Sequence, residues 1–273
     1  MTMIDLVDTH CHIQSIGHND GEETTIDLWS KLGLTQEEVI KRAHHQGVNK
    51  LIVVGCNLSD SYLAIQTAQN NDIWCSVGIH PHEAKKYVND SNKKQEFTSL
   101  VHQEKVVAIG ECGLDFYYNY SDHRSQREIL EFQLDLAIKN NLPVIFHVRQ
   151  AFDDFWPIIN NFKNIRGVIH SFTDNLGNLE EALKRELYIG LNGISTFTKD
   201  HHQKEIFKSI PINKLLLETD SPFLTPVPFR GSINEPKNVR FVAEYLASLR
   251  GESLETLADQ TTSNANKLFN MIF

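Results

Sequence analysis

Short apolar runs alternate with longer amphipathic stretches from one end of the chain to the other, and the two periods separate the elements. Runs that are continuous or alternate every second residue predict strands over residues 4–8, 50–55, 73–79, 106–110, 143–148, 167–170, 187–191 and 214–218. Apolar positions spaced three and four apart predict helices over 36–45, 59–70, 123–140 and 179–185. Turn residues such as Gly47 and the Asn141-Leu142-Pro143 step close several of these elements. Eight strands alternating with helices imply an α/β fold, a parallel (β/α)8 TIM barrel, with two further helices over 239–249 and 254–269 closing the end. No linker, low-complexity tract or shorter repeat interrupts the pattern, so residues 1–273 are expected to form a single barrel domain. The polar stretch from Gln14 to about Thr24 is expected to leave the first strand as a long loop on the catalytic face. Trp29, just beyond it, is better explained by packing than by stacking on a base.

Composition narrows the class. At 273 residues and 41% hydrophobic, the chain can bury a full core. It has neither a leader pattern nor a run long and apolar enough to span a bilayer, so a soluble, cytoplasmic protein is expected. The four cysteines, Cys11, Cys56, Cys75 and Cys112, are far apart and sit in or beside apolar runs, as reduced, buried thiols would. A formal charge of −9 argues against a basic groove that tracks many phosphates. It still allows one or two phosphates to be held where bound cations supply positive charge, which favours ends and small substrates.

Polar residues then follow six of the eight apolar runs at their carboxyl ends. His10 and His12 end the first strand, His80 and His82 the third, Glu111 the fourth, His147 and Arg149 the fifth, His170 the sixth and Asp220 the eighth. Barrel enzymes build their sites at these carboxyl ends. Any one of these histidines alone is explained by polar packing; together, at successive strand ends, they describe a site. Side chains two apart on a strand share a face, which puts His147 with Arg149 and Glu218 with Asp220. Imidazoles and carboxylates in this ratio suit divalent cations, and Glu111 is placed to bridge two of them. Asp220 is expected to take the proton of a metal-activated water. Arg149 offers a planar fork for a phosphate, and His82 a second donor. Glu218, one pleat deeper, is expected to orient a ligand by hydrogen bonds. Arg230 is a candidate substrate contact, although the loop from Arg230 to Pro236 also reads as a turn that caps the next helix through Asn234. His44-His45 and His201-His202 read as solvated faces.

The stretches Asp8-Thr9-His10-Cys11-His12, Gly78-Ile79-His80-Pro81-His82, Gly110-Glu111-Cys112-Gly113-Leu114-Asp115, His147-Val148-Arg149, His170-Ser171-Phe172, Glu218-Thr219-Asp220-Ser221-Pro222 and Arg230 through Pro236 span nearly the whole chain. In this order they resemble the TatD family of metal-dependent deoxyribonucleases, among the amidohydrolase-like barrels. The resemblance implies His10, His12, Glu111 and Asp220 around one ion, and Glu111, His147 and His170 around another. It also implies phosphate contacts from His82 and Arg149, and magnesium-dependent hydrolysis of DNA, often from the 3′ end. The chain departs from the pattern at Gln150, Ser171, Phe229 and Ser232 and in the longer segment after His12; lost positive charge near the mouth weakens phosphate binding.

The expected function is hydrolysis of DNA ends or single-stranded nucleic acid by two divalent ions, Mg2+ or Mn2+ in catalysis, with Zn2+ also suited to the histidines. The alternatives are ester or amide hydrolysis on the same metals, as in D-aminoacyl-tRNA deacylases, and a metal-binding scaffold without catalysis. Neither a membrane nor an obligatory protein partner is expected.

Overall fold

Eight strands pair in the order β1 to β8 in one sheet: β1 Leu6–Cys11, β2 Val48–Val54, β3 Trp74–Val77, β4 Val106–Asp115, β5 Val144–Arg149, β6 Gly167–Ile169, β7 Tyr188–Leu191 and β8 Leu215–Leu217. The computed structural model describes residues 4–18, 28–118 and 120–271. Ten α-helices lie between and after the strands among these residues: α1 Gln36–His45, α2 Leu58–Asn71, α3 Ser91–Leu100, α4 His123–Asn140, α5 Phe152–Asn160, α6 Leu176–Lys184, α7 Ile194–Phe197, α8 His201–Ser209, α9 Val239–Arg250 and α10 Leu254–Phe269. This is the (β/α)8 barrel, and a parallel bridge from Cys11 to Ser221 joins the end of β1 to the chain leaving β8.

The chain divides into two compact units, one of residues 1–53 with 171–273 and the other of Val54–His170. In the first, α9 and α10 pack on β1 and β8, burying Leu6, Leu215, Leu216, Val242, Leu257 and Leu268. In the second, α2 packs on β3 and α4 on β4, around Val77, Ile109, Phe146 and Leu134. Ordinary signals set the helix ends. Thr35 and Glu38 form a reciprocal capping box on α1. Asp122 accepts the Ser125 N–H at the start of α4, and Asn141 ends that helix in the left-handed region at φ 54°.

All eight expected strands are present, with two shifts that bear on the site. β1 runs on through His10, and β4 continues five residues past Gly110, so Glu111 lies within a strand and Asp115 ends it. Helices α3, α5 and α8 carried weak signals. Only Phe97 and Leu100 are buried in α3, and only Ile206 and Phe207 in α8. In α5 the apolar run is interrupted by Pro157. Trp29 is fully buried, which is the packing role. Of the expected loop after His12, residues 13–15 form a single 3-10 turn with Gln14 and Ser15 buried, and residues 19–24 lie outside the described residues.

Candidate metal centre

In the unit of Val54–His170, three imidazoles converge on one carboxylate oxygen. Glu111 Oε1 lies 2.6 Å from His147 Nδ1, 3.5 Å from His170 Nε2 and 3.7 Å from His80 Nε2. Donor atoms of His80, Glu111 and His147 all fall within 4.8 Å of one another. The strands enforce this meeting. β4 pairs with β5 at Gly113 and His147, and a Cβ on Gly113 would overlap the His147 carbonyl, so only glycine lets the two strands lie this close.

The outer nitrogens distinguish the histidines. His147 turns Nε2 to Asp115 Oδ2 at 3.0 Å, the arrangement that orients a metal-ligating histidine and leaves Nδ1 for the ion. His80 Nδ1 accepts the main-chain N–H of His82 at 3.2 Å. That bond takes up Nδ1 and leaves Nε2, 3.7 Å from Glu111 Oε1, as the nitrogen that faces the cluster. His82 meets the same Asp115 oxygen at 3.0 Å. The second Asp115 oxygen accepts the main-chain N–H groups of Tyr117 and Tyr118, at 3.0 Å each.

Electrostatics in this cluster favour a cation. Burial pushes the Asp115 carboxyl up, but hydrogen bonds from His147, His82 and the Tyr118 N–H outweigh it and hold the group well below the usual carboxylate range. Burial pushes His147 down, and bonding to Asp115 and Glu111 overturns that, lifting it to about 9. Burial and the neighbouring His147 push His80 well below an ordinary imidazole. Positive charge between Glu111 and Asp115 is thus strongly favoured, and one proton on His147 or a divalent ion can supply it. Cys56 Sγ stands 3.8 Å from Glu111 Oε2, so this half-buried thiol reaches the site. This corrects the buried thiol expected at Cys56 from its place beside an apolar run.

A second set lies in the unit of residues 1–53 with 171–273. His10 Nε2 and His12 Nε2 are 3.2 Å apart, and Asp220 Oδ1 is 3.6 Å from the first and 3.3 Å from the second. Two imidazole nitrogens and a carboxylate oxygen in a triangle of this size offer one face to a divalent cation. Main-chain bonds hold the triangle, Asp220 N–H to His10 O and His12 N–H to Ser221 O, both 2.8 Å. Beneath it lies Asp8, whose carboxylate accepts the Thr219 N–H and hydroxyl and the His10 N–H. Burial pushes the Asp8 carboxyl up to about 8, against those hydrogen bonds.

The remaining expected residues fall as follows. Glu218 is buried and accepts the Ser171 N–H at 2.7 Å and the Asn192 amide at 3.2 Å. Arg149 lies exposed at the end of β5 with its guanidinium 4.0 Å from the centre of the Tyr117 ring. Arg230 sits 3.7 Å over Phe197 and donates to the Thr225 carbonyl. Asn234 caps no helix; its amide donates to the carbonyls of Thr219 and Phe223 and fixes the loop that carries Asp220. His44, His45, His201 and His202 are exposed. Asp115 and Asp8 were missed as site residues. Both stood inside the quoted motifs, and what marks them is hydrogen bonding to residues distant in sequence.

A (β/α)8 barrel with histidine and carboxylate sets where its strands end defines a metal-dependent hydrolase. The comparisons with known proteins make this specific. Residues 7–270 match the family described as TatD related DNase, and the chain belongs to that family. It is 37% identical over 267 residues to the uncharacterized metal-dependent hydrolase YabD of Bacillus subtilis, covering 97% of this chain and 98% of that protein. It is 36% identical over 245 residues to the 3′-5′ ssDNA/RNA exonuclease TatD of Erwinia tasmaniensis, covering 86% and 94%. The crystal structure of YJJV, a TatD homolog from Escherichia coli K12, superposes with a TM-score of 0.87 at 26% identity, over 99% of this chain and all of that one.

Proposed function

We propose that this protein is a metal-dependent exonuclease that removes nucleotides from the 3′ end of single-stranded DNA, working as one barrel domain in the cytoplasm. The observation that carries the reading is the set of His147 and His170 nitrogens around Glu111 Oε1, with a matching triangle of His10, His12 and Asp220. The name of the Erwinia tasmaniensis relative supports the substrate, and four cysteines outside any disulfide suit a reducing compartment.

The donor sets fit divalent ions, two in our reading, one that Glu111, His147 and His170 would hold and one that His10, His12 and Asp220 would hold. Mg2+ or Mn2+, or Zn2+, would lower the pKa of a water and polarise the phosphoryl oxygen. The chain's own residues do the rest. Asp220 accepts the proton of the attacking water. Asp115 holds His147 in the tautomer that presents Nδ1 inward. Arg149 donates to the phosphate oxygens and fixes the diester in line, beside His82, whose Nε2 is held by Asp115. The acidic chain then needs few cations of its own, because it holds an end rather than a duplex.

The test is hydrolysis of 3′-labelled and 5′-labelled single-stranded DNA by the purified protein with magnesium or manganese. Release of labelled nucleotide first from the 3′-labelled strand is expected. Protein that retains its metal and releases no nucleotide overturns the reading. Deacylation of D-aminoacyl-tRNA in that case would place the same water on a carbon ester.

A further inference from the structure

Three tyrosines in a four-residue stretch stand exposed beside the metal-binding cluster: Tyr117 at 53%, Tyr118 at 40% and Tyr120 at 47%. Rings of this size are ordinarily buried, and a contiguous exposed group of them marks a contact surface. This group is also held in place. Asp115 Oδ1 accepts the N–H groups of Tyr117 and Tyr118, while its other oxygen bonds His82 and His147. The aromatic turn and the histidines thus share one anchor.

The cluster continues into cationic and imidazole groups. The Arg149 guanidinium lies over the rings of Tyr117, at 4.0 Å, and Tyr118, at 4.9 Å. The His82 ring meets Tyr118 edge-on at 5.5 Å and Tyr120 at 4.8 Å. Tyr118 and Tyr120 lie 27° from parallel with centroids 5.5 Å apart, too close for another ring to slip between. A planar ligand would therefore lie against the outer faces of the group.

Aromatic faces beside an arginine recognise unpaired nucleobases with a phosphate next to them. Stacking needs a base whose face is free, which a strand end has and a duplex interior lacks. We infer that Tyr117, Tyr118 and Tyr120, with Arg149 over them, form a stacking platform for an unpaired base next to the scissile phosphate, which makes single-strandedness a requirement of this enzyme. Arg149 then has two roles, its face on tyrosine and its N–H edge on phosphate. The inference deepens the proposed nuclease reading and rests on it for the identity of the ligand as a nucleic acid.

The experiment uses the full chain and a short 5′-labelled single-stranded oligonucleotide, compared with the same strand carrying abasic residues at its 3′ end. Wild type, Tyr117→Ala, Tyr120→Ala and Tyr117→Trp are measured for KM of nucleotide release with magnesium, and for Kd by anisotropy in chelator. Tyr117→Ala is expected to raise KM and Kd for the base-bearing strand about tenfold, the worth of one base-on-aromatic stack. Tyr117→Trp restores both, and wild type and Tyr117→Ala converge on the abasic strand. If Tyr117→Ala melts early, Tyr117→Leu replaces it, keeping bulk without a π face. Unchanged Kd and KM, or an equal loss on the abasic strand, overturns the platform even where nucleotide release is normal. Wild type that prefers bases over abasic sites, but releases no nucleotide, upholds the platform and removes the nuclease reading.

Discussion

Asp115 shows how much a single carboxylate can organise. It contacts two imidazoles and two main-chain N–H groups, so Asp115→Asn replaces an acceptor of His147 with a group that can turn a donor toward it. We expect metal affinity to fall about 10- to 100-fold, read by isothermal titration with manganese. Asp8 makes a different prediction. Its carboxyl is pushed from 3.8 to about 8 by burial, so the folded protein binds this proton more tightly than the unfolded chain does. Asp8 therefore contributes most stability at low pH, and the contribution is lost as pH rises from about 4 to about 8. The Tm of Asp8→Asn relative to wild type should accordingly climb across that window in thermal melts. A flat difference would show that Asp8 ionises normally in the fold.

Elements deliver these residues through backbone geometry. β4 runs ten residues, Val106–Asp115, and its second half carries both Glu111 and Asp115. That half was invisible to hydrophobic patterning because Gly110, Glu111, Gly113 and Asp115 dilute the apolar run; pairing with β5 keeps it extended. Gly113 is the condition for this pairing, at φ 153° and against the His147 carbonyl. Gly113→Ala should destabilise the fold by about 2 kcal/mol or more and weaken metal binding with it, measured by urea unfolding and titration. A variant that unfolds like wild type would mean the strands can part at no cost. Gly190 serves Glu218 similarly, since a side chain there would strike its carboxylate.

At the scale of the whole molecule, the candidate metal sets join segments distant in sequence: His10 and His12 with Asp220, and Glu111 with His147 and His170. A ligand that binds only the folded chain raises its stability, by about 3 kcal/mol per site at a hundredfold excess over Kd. Chelation is therefore expected to lower the Tm, and manganese to restore it, in calorimetric melts. Among the described residues, no helix is long and apolar enough to cross a membrane.

The alternation of apolar runs and amphipathic stretches determined the barrel by itself, because each strand must be buried and each helix must cover a strand. The same strands ended in histidine or carboxylate often enough to mark the candidate metal ligands. Tertiary structure alone decided which oxygen the imidazoles share, which nitrogen of His80 faces it, and that Asp115 binds His147 and the tyrosine turn together. Those outcomes depend on distances between side chains far apart in the chain. Sequence pattern records which way a residue faces, whereas hydrogen bonding and charge depend on what stands opposite it.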